Sequence, residues 1–482
     1  MSQFFGRTDV TRDQPYSIKI RGMAGLAGSL SQGLVRFLYN VLMGRILGVA
    51  ALGAVNSAMS LALLLSLLWP TSAGQAATRF VAQMRGEGSP ERAQAVATYL
   101  GRRMLAAAAV LGLATVGVSL TLLRTDLGTA LSAGALLIGY ACWSFSRGVQ
   151  YGAGQIVRAA TWDVVGAVLA VVMLVLVLAM RWDAVLLLPL ALSYGLYGVI
   201  CWPRKSKHPL DQKLLADMNK FVSYGVLGTL SSTGLLQLSM IGAKLAGTEH
   251  EAGLYAAALS LATPATMLAR TLSQVLFPAM AEAGGRGDNE SLRRQTDLVT
   301  RGLAISMVAV FGCLALGSPL LLKVLYGNAF AGAANLLPVM LVAVMMTTLP
   351  VACVNRLNSS GITGARRVSF TAAGGLAVAA LLWVLFAPTY SVAGIAGGYL
   401  VATTGTAVGI MAMAWKLDSQ SWKYLVGRML MGIALMSAGI LYNFLFTPPL
   451  WTGVAMAVAF LGLWLLICRS DIIFLRVGRK AS

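Results

Sequence analysis

The sequence predicts an all-α polytopic membrane protein with about fourteen transmembrane helices, arranged as two parallel-repeat six-helix lobes around a central cleft with an extra C-terminal helix pair. Three observations predict it. Apolar runs of about twenty residues, each long enough to cross a hydrocarbon core of roughly 30 Å, recur along the chain. The 11% of residues that are charged fall almost entirely in short stretches between those runs, where a soluble chain would carry roughly a quarter. One ordered set of turns and cations occurs twice, about 200 residues apart.

The runs predict helices over residues 22–45, 52–78, 104–123, 127–146, 159–180, 184–202, 219–244, 252–280, 302–323, 331–355, 368–387, 391–415, 424–446 and 450–468. A chain in lipid must satisfy its own backbone hydrogen bonds, which leaves helices or a closed barrel. Barrel strands alternate apolar and polar residues, and no such alternation occurs here. With 57% hydrophobic residues and mean hydropathy +0.75, a soluble domain is excluded. The first residues, Met1 to Gly22, hold no apolar core of the kind a cleaved leader has. The five cysteines are scattered without metal spacing and read as small core residues.

Lysines and arginines give an orientation. With the N-terminus inside, 30 of the 37 cations fall in inner segments. Five (Arg45, Arg124, Arg181, Lys244 and Lys323) fall in outer turns, and Arg36 and Arg270 fall in mid-span. The positive-inside rule therefore places both termini in the cytoplasm. The net charge of +20 is then a topological signal with some attraction to anionic lipid, and calls for no nucleic acid. The expected organisation is a cytoplasmic tail over 1–21, an N-lobe over 22–202, an inter-lobe linker over 203–218, a C-lobe over 219–415, the last helix pair over 416–468 and a cytoplasmic tail over 469–482.

The repeat begins with Arg45-Ile46-Leu47-Gly48 and Lys244-Leu245-Ala246-Gly247. Each copy continues through a short turn, a long helix, a basic loop of about twenty residues, and Arg102 or Arg301 at the next helix start. A displacement of six spans preserves orientation, so the repeat is parallel, with its pseudo-twofold axis along the membrane normal. Pro70, Pro264 and Pro350 lie within spans and are expected to kink them.

Two cations define the candidate site. Arg36 and Arg270 each lie about 15 Å from a span end, too deep to snorkel comfortably. Ser29, Gln32, Arg36 and Asn40 share one helical face, as do Thr263, Thr266, Arg270 and Ser273. Thr229, Thr233 and Gln237 mark a third face on span 7. Among the acids only Asp163 lies inside a span, and it reads as the partner of Arg147 or Arg158 or as an ion site. Two deep cations without a free deep carboxylate describe a cavity for an anion, and a diphosphate suits arginine's bidentate donors. The expected substrate-binding residues are Arg36, Arg270, Gln32, Asn40, Thr266 and Ser273, with Arg79 at a headgroup entrance. His208 and His250 lie in loops, and no nucleotide-binding motif is present. No catalytic residue, metal or cofactor is expected.

Three patterns resemble the multidrug/oligosaccharidyl-lipid/polysaccharide (MOP) flippase superfamily, in its polysaccharide transporter branch. They are Ile46-Leu47-Gly48 with Leu52-Gly53 and Thr78-Arg79-Phe80-Val81-Ala82, then Leu325-Tyr326-Gly327 with Phe330, Ala333 and Leu336-Leu337-Pro338, then Leu357-Asn358-Ser359-Ser360-Gly361. The resemblance covers nearly the whole chain. It implies a flippase that carries polyprenyl-diphosphate-linked oligosaccharide across the bacterial plasma membrane by alternating access. It leaves a peptidoglycan-precursor flippase or a small-molecule exporter as alternatives, with a non-transporting envelope-assembly scaffold as the alternative of another class. Coupling to the membrane potential or an ion gradient is compatible with it. The partners it implies are the lipid-linked substrate, membrane lipids, glycan polymerase and glycosyltransferases, around a monomer. Spans 1 and 2 lack the embedded acid that the drug-exporting branch carries there.

The orientation is open to direct test. Single cysteines at Arg85, Lys205 and Arg286 should resist an impermeant thiol reagent in intact cells, while those at Thr125, Thr248 and Pro448 should react. Labelling of the first set would overturn it.

Overall fold

A computed structural model describes residues 7–11, 17–265, 288–360, 362–446 and 449–478. Among them the chain is helical, with no strand beyond a single parallel bridge between Thr8 and Pro203. Eleven helical segments among the described residues are long and apolar enough to cross a membrane. The fourteen expected spans map onto these with three differences. The helix α1 (Ile18–Leu47) carries the polar stripe and is less apolar than the eleven. Span 8 is described only over its first part. Spans 11 and 12 are two helices within Ile362–Asp418 with no loop between them, the chain reversing at the non-helical Ser391 (φ 48°, ψ −132°). That reversal is the short turn expected between spans 11 and 12, clasped by the Trp383 indole donating to the Ile395 carbonyl at 2.9 Å.

The expected long helix of span 2 is two helices, α2 (Val49–Ser66) and α3 (Pro70–Gly86). Pro70 has no N–H and its ring clashes with the preceding turn, so it starts a helix instead of bending one. Span 10 is interrupted in the same way, with Pro350 lying between Leu337–Thr348 and Val351–Ser359. Span 8 runs helical from Glu249 to Ala262 and meets Pro264 in a 3₁₀ turn. Among the described residues, spans 2 and 8 both leave the α-helical form beside a proline, Pro70 and Pro264. The first basic loop also differs from expectation. Arg79 and Arg85 belong to α3, and Arg92, Arg102 and Arg103 belong to α4 (Pro90–Thr121), with only Glu87–Ser89 between the two helices. Gly88 makes that reversal at φ +72°, a conformation that strains residues bearing a side chain.

Packing divides the chain into two compact units, residues 1–46 with 50–252, and residues 47–49 with 253–482. The expected linker at 203–218 lies inside the first unit. Span 7, one run over Gln212–Ala246, is counted there too and packs against α3. A π-helical turn at Leu230–Gly234 interrupts span 7 beside Thr229 and Thr233. In the first unit α5 (Leu127–Gly152) is central, packing on α3, α4 and α7 (Leu188–Ile200). A side chain at Gly139 would sit 2.3 Å from the Ala191 carbonyl, which is how closely α5 and α7 approach. The N-terminal stretch is tied down, Thr8 N–H donating to the Trp202 carbonyl at 2.9 Å and Arg204 N–H to the Thr8 carbonyl at 3.0 Å.

In the second unit, α11 (Asn289–Leu316) carries the last helix pair, α16 (Lys423–Phe446) and α17 (Leu450–Ile467). The Trp464 indole donates to the Ile305 carbonyl at 2.9 Å. Charges near the helix ends are buried in pairs. Arg356 grips Asp418 through two hydrogen bonds of 2.9 and 2.7 Å and reaches Ser360 at 2.8 Å. The third sequence pattern is therefore the helix end that positions this arginine. Beside α11, Asp471 accepts from Arg301 at 2.7 Å and from Arg428, while Asp297 accepts from Arg301 and the Trp422 indole.

Arg356 and Asp418 are each about 5% exposed. Removing one member leaves a buried charge, a loss of about 3–5 kcal/mol. Asp418→Ala should therefore lower the thermal midpoint of the purified protein sharply, and the paired change Arg356→Met with Asp418→Leu should recover most of it. Equal losses in the single and paired variants would show that the ion pair is not what stabilises this corner.

Candidate functional site: a cationic seam in the first unit

The polar stripe of α1 faces α5, α6 (Ile156–Ala179) and α7 of its own unit. Its spacing of three and four residues stacks Ser29, Gln32 and Arg36 along one side. Each meets a different partner. Ser29 Oγ accepts from Arg147 Nη2 at 3.0 Å, Gln32 Nε2 donates to the Asp163 carbonyl at 2.9 Å, and Arg36 Nε donates to the Tyr194 hydroxyl at 3.3 Å. Asn40 leaves the stripe. It is buried and accepts from Asn56 of α2 at 3.0 Å.

Asp163 pairs with Arg147, its Oδ2 accepting from Arg147 Nε at 2.8 Å, while its Oδ1 accepts from the Trp143 indole at 2.8 Å. Asp163 is wholly buried, and an ionised carboxylate is tolerated there only with such partners. Arg147 also donates to the Tyr151 hydroxyl at 2.9 Å and lies over that ring, 4.6 Å from its centroid. The expected end of span 4 at residue 146 set Arg147 among the loop cations. The helix continues to Gly152, so Arg147 is a residue of the helix interior. Close packing is needed here as well. A side chain on Gly28 would fall 2.8 Å from Asp163 Oδ2 and 2.9 Å from the Ala160 Cα, so glycine lets α1 approach α6.

Three rings join the ion pair to Arg36. Trp143 lies 5.1 Å from both Tyr140 and Tyr194, and those two tyrosines are 5.6 Å apart edge to face. The Arg36 guanidinium lies 5.3 Å from the Tyr140 centroid. Arg147 and Asp163 cancel one another, whereas Arg36 makes no ion pair among the described residues. Arginine has five N–H donors in a fixed fork. Arg36 is held by neutral aromatic groups and keeps both its charge and spare donors. Gln32 Oε1, buried in the same seam, accepts no hydrogen bond among the described residues.

Of the remaining sequence-expected residues, Arg79 is exposed on α3 and lies 4.8 Å from the centroid of Phe221 on span 7. Arg270, Thr266 and Ser273 lie outside the described residues. The aromatic members Tyr140, Trp143 and Tyr194 went unnoticed in the sequence. Their signal was present, because an arginine in mid-span needs acceptors or π-faces on neighbouring helices, and α5 offers Tyr140 and Trp143 three residues apart.

A family model described as polysaccharide biosynthesis protein matches residues 23–283. No curated protein sequence matches the chain. Among solved structures, the fold is similar to the lipid II flippase MurJ in an inward closed conformation, with TM-score 0.67 at 12% identity over 93% of this chain and 99% of that one. It is similar to an inward-facing multidrug resistance MATE family transporter of the MOP superfamily, with TM-score 0.62 at 15% identity over 84% of this chain and 95% of that one. It is also similar to a MOP superfamily transporter from Pyrococcus furiosus whose binding pocket is described as reversed in polarity, with TM-score 0.59 at 16% identity over 83% and 95%. At such identities the structural likeness is one of fold. The family match spans more than half of the chain, so this chain, a multi-pass membrane protein by its apolar helices and fold, belongs to the polysaccharide biosynthesis protein family.

Proposed function

We propose that the protein is a flippase that moves a polyprenyl-diphosphate-linked oligosaccharide from the inner to the outer leaflet of a bacterial plasma membrane. The observation that carries this reading is Arg36, a cation deep in a span, held by Tyr194 and Tyr140 and left without a carboxylate partner among the described residues. An uncompensated arginine at that depth costs from a few to more than ten kcal/mol, and an anion that visits it offsets that cost. Phosphate oxygens match the guanidinium fork. Gln32 Oε1, which accepts no hydrogen bond among the described residues, fits a sugar hydroxyl or a phosphate-bound proton. Arg270 would supply a second cation from span 8, and Arg79 would meet the headgroup on entry.

The second unit supports the lipid half of the substrate. An apolar cavity of about 800 Å³ lies among α11, α16 and the helices around Val342 and Leu400, lined by Val339, Met346, Met411, Met429 and Ile433 among others. Such a surface takes an isoprenoid chain without leaving a polar group unsatisfied. An inside-negative potential favours outward movement of negative charge by about 2.3 kcal/mol per charge per 100 mV, so an anionic substrate needs no nucleotide to bias its direction. A drug exporter that takes cations fits less well, because Asp163, the acid that the sequence places inside a span, is already committed to Arg147. A peptidoglycan-precursor flippase is the second reading. The fold likeness to a lipid II flippase over 99% of that chain favours it, and it predicts that a deletion strain accumulates a peptidoglycan precursor instead of a glycan-assembly intermediate.

Arg36→Ala, expressed in a deletion strain at matched membrane levels, should abolish surface glycan while leaving the protein monodisperse in detergent. Losing one charge-assisted contact to phosphate corresponds to about 2 kcal/mol, or about thirtyfold in affinity. Arg36→Lys should rescue only in part, since an ammonium lacks the planar fork. Normal surface glycan from Arg36→Ala would sink the proposal.

A further inference from the structure

The first unit has a second basic concavity, away from the seam. It encloses about 770 Å³ between the first turns of α4 and the segment that joins α7 to α8 (Gln212–Thr229), and Arg102, Arg103, Lys207, His208 and Tyr99 line it. No carboxylate lines it. We propose that this concavity is a binding site for an anionic phospholipid of the membrane leaflet that it faces, with the phosphate headgroup among Arg102, Arg103 and Lys207 and the acyl chains along α4.

Three observations carry the assignment. First, Arg102 and Arg103 on α4 and Lys207 on the facing segment are like charges that repel one another, and an anion between them removes that cost. Second, the walls are built to hold their shape. The Ser206 N–H donates to Thr98 Oγ1 at 3.0 Å, and the Thr8 bridge fixes Arg204 just before it, so the joining segment lies against α4 instead of floating free. Arg103 Nη1 donates to Asn219 Oδ1 at 2.8 Å and its guanidinium sits 5.4 Å from the Tyr99 centroid, which aims the cation while leaving it uncancelled.

Third, the face of α4 that lines the concavity runs directly onto a lipid-exposed one. Arg102, Ala106, Ala109 and Leu113 are spaced four, three and four, so they share one side of the helix. All four are exposed. The neighbouring Leu105, Val110 and Leu113 expose 42%, 67% and 76% of their surface, which in water would be unfavourable and against acyl chains is not. Charge at one end and apolar surface beyond it, at the spacing of a single helix face, matches a molecule that is anionic at the head and hydrocarbon below. A free phosphate would use the first part and leave the second unexplained. Basic pockets between membrane helices on the cytoplasmic side recognise lipid headgroups in this manner.

The test uses the purified full-length protein and its Arg102→Ala/Arg103→Ala/Lys207→Ala variant. Each cation near an anionic headgroup contributes about fivefold in affinity, so the triple change should weaken binding about a hundredfold. Native mass spectrometry should show phosphatidylglycerol retained on the wild type through delipidation and lost from the variant. Added phosphatidylglycerol should raise the thermal midpoint of the wild type, with no rise from phosphatidylcholine or from millimolar inorganic phosphate. A Leu105→Ser/Val110→Ser variant should also lose retention, as a site that holds only phosphate would not. Equal retention by wild type and triple variant would overturn the assignment, as would equal stabilisation by phosphatidylcholine. Stabilisation by inorganic phosphate without lipid retention would replace the lipid by a soluble anion and overturn it too. Should the triple alanine variant fail to purify, Arg102→Gln/Lys207→Gln, whose members are exposed and lie outside the seam, carries the same comparison.

Discussion

A charge carried into hydrocarbon has to be neutralised or hydrogen-bonded where it stands, and in the first unit that constraint decides how α1, α5, α6 and α7 meet. Asp163 is wholly buried, and its two oxygens take Arg147 and the Trp143 indole. Arg147 in turn needs Ser29 and Tyr151, which draws α1 onto α5. The glycine at position 28 follows from the same contact, since any side chain there would push against the carboxylate. Once the pair is in place its charges cancel, and Arg36 stands beside it as a deep cation with no ion pair among the described residues.

The second unit meets the same constraint differently. Among its described residues, the buried charges lie close to the helix ends in the Arg356–Asp418 pair and in the group formed by Asp297, Arg301, Arg428 and Asp471, and the cavity beside them is apolar. There each carboxylate has its cation. Buried pairs of this kind add little net stability over apolar packing but are expensive to break, so they favour one arrangement of helix ends over its neighbours. Among the described residues, the first unit thus presents an uncancelled deep cation, and the second an apolar cavity.

Much of the fold was legible because membrane insertion writes itself into composition. The spans and the hairpin at Ser391 follow from hydropathy and from where arginine is allowed. What was not legible depended on contacts between helices. Pro70 and Pro350 were read as kinks, although a proline can equally well begin a new helix. Arg147 was set in a loop because hydropathy falls before the helix ends, and only Asp163 across from it makes the extra turns habitable. The stripe on α1 is polar in the sequence itself, but a period of three and four cannot say which neighbour it meets. Ser29, Gln32 and Arg36 turn to α5, α6 and α7, while Asn40 turns to α2. Tyr140 and Tyr194, the residues that make Arg36 tenable, carry no charge and left no mark in a search for ionisable groups.

The most direct measurement is transport by the purified protein reconstituted into liposomes, with a fluorescent polyprenyl-diphosphate oligosaccharide in one leaflet and an impermeant quencher or glycosidase reporting its arrival in the other. The account predicts translocation that depends on the protein, accelerates with a potential negative on the side of departure, and is competed by polyprenyl diphosphate but not by organic cations. Failure to move the diphosphate lipid under conditions in which the same liposomes export a cationic compound would contradict it.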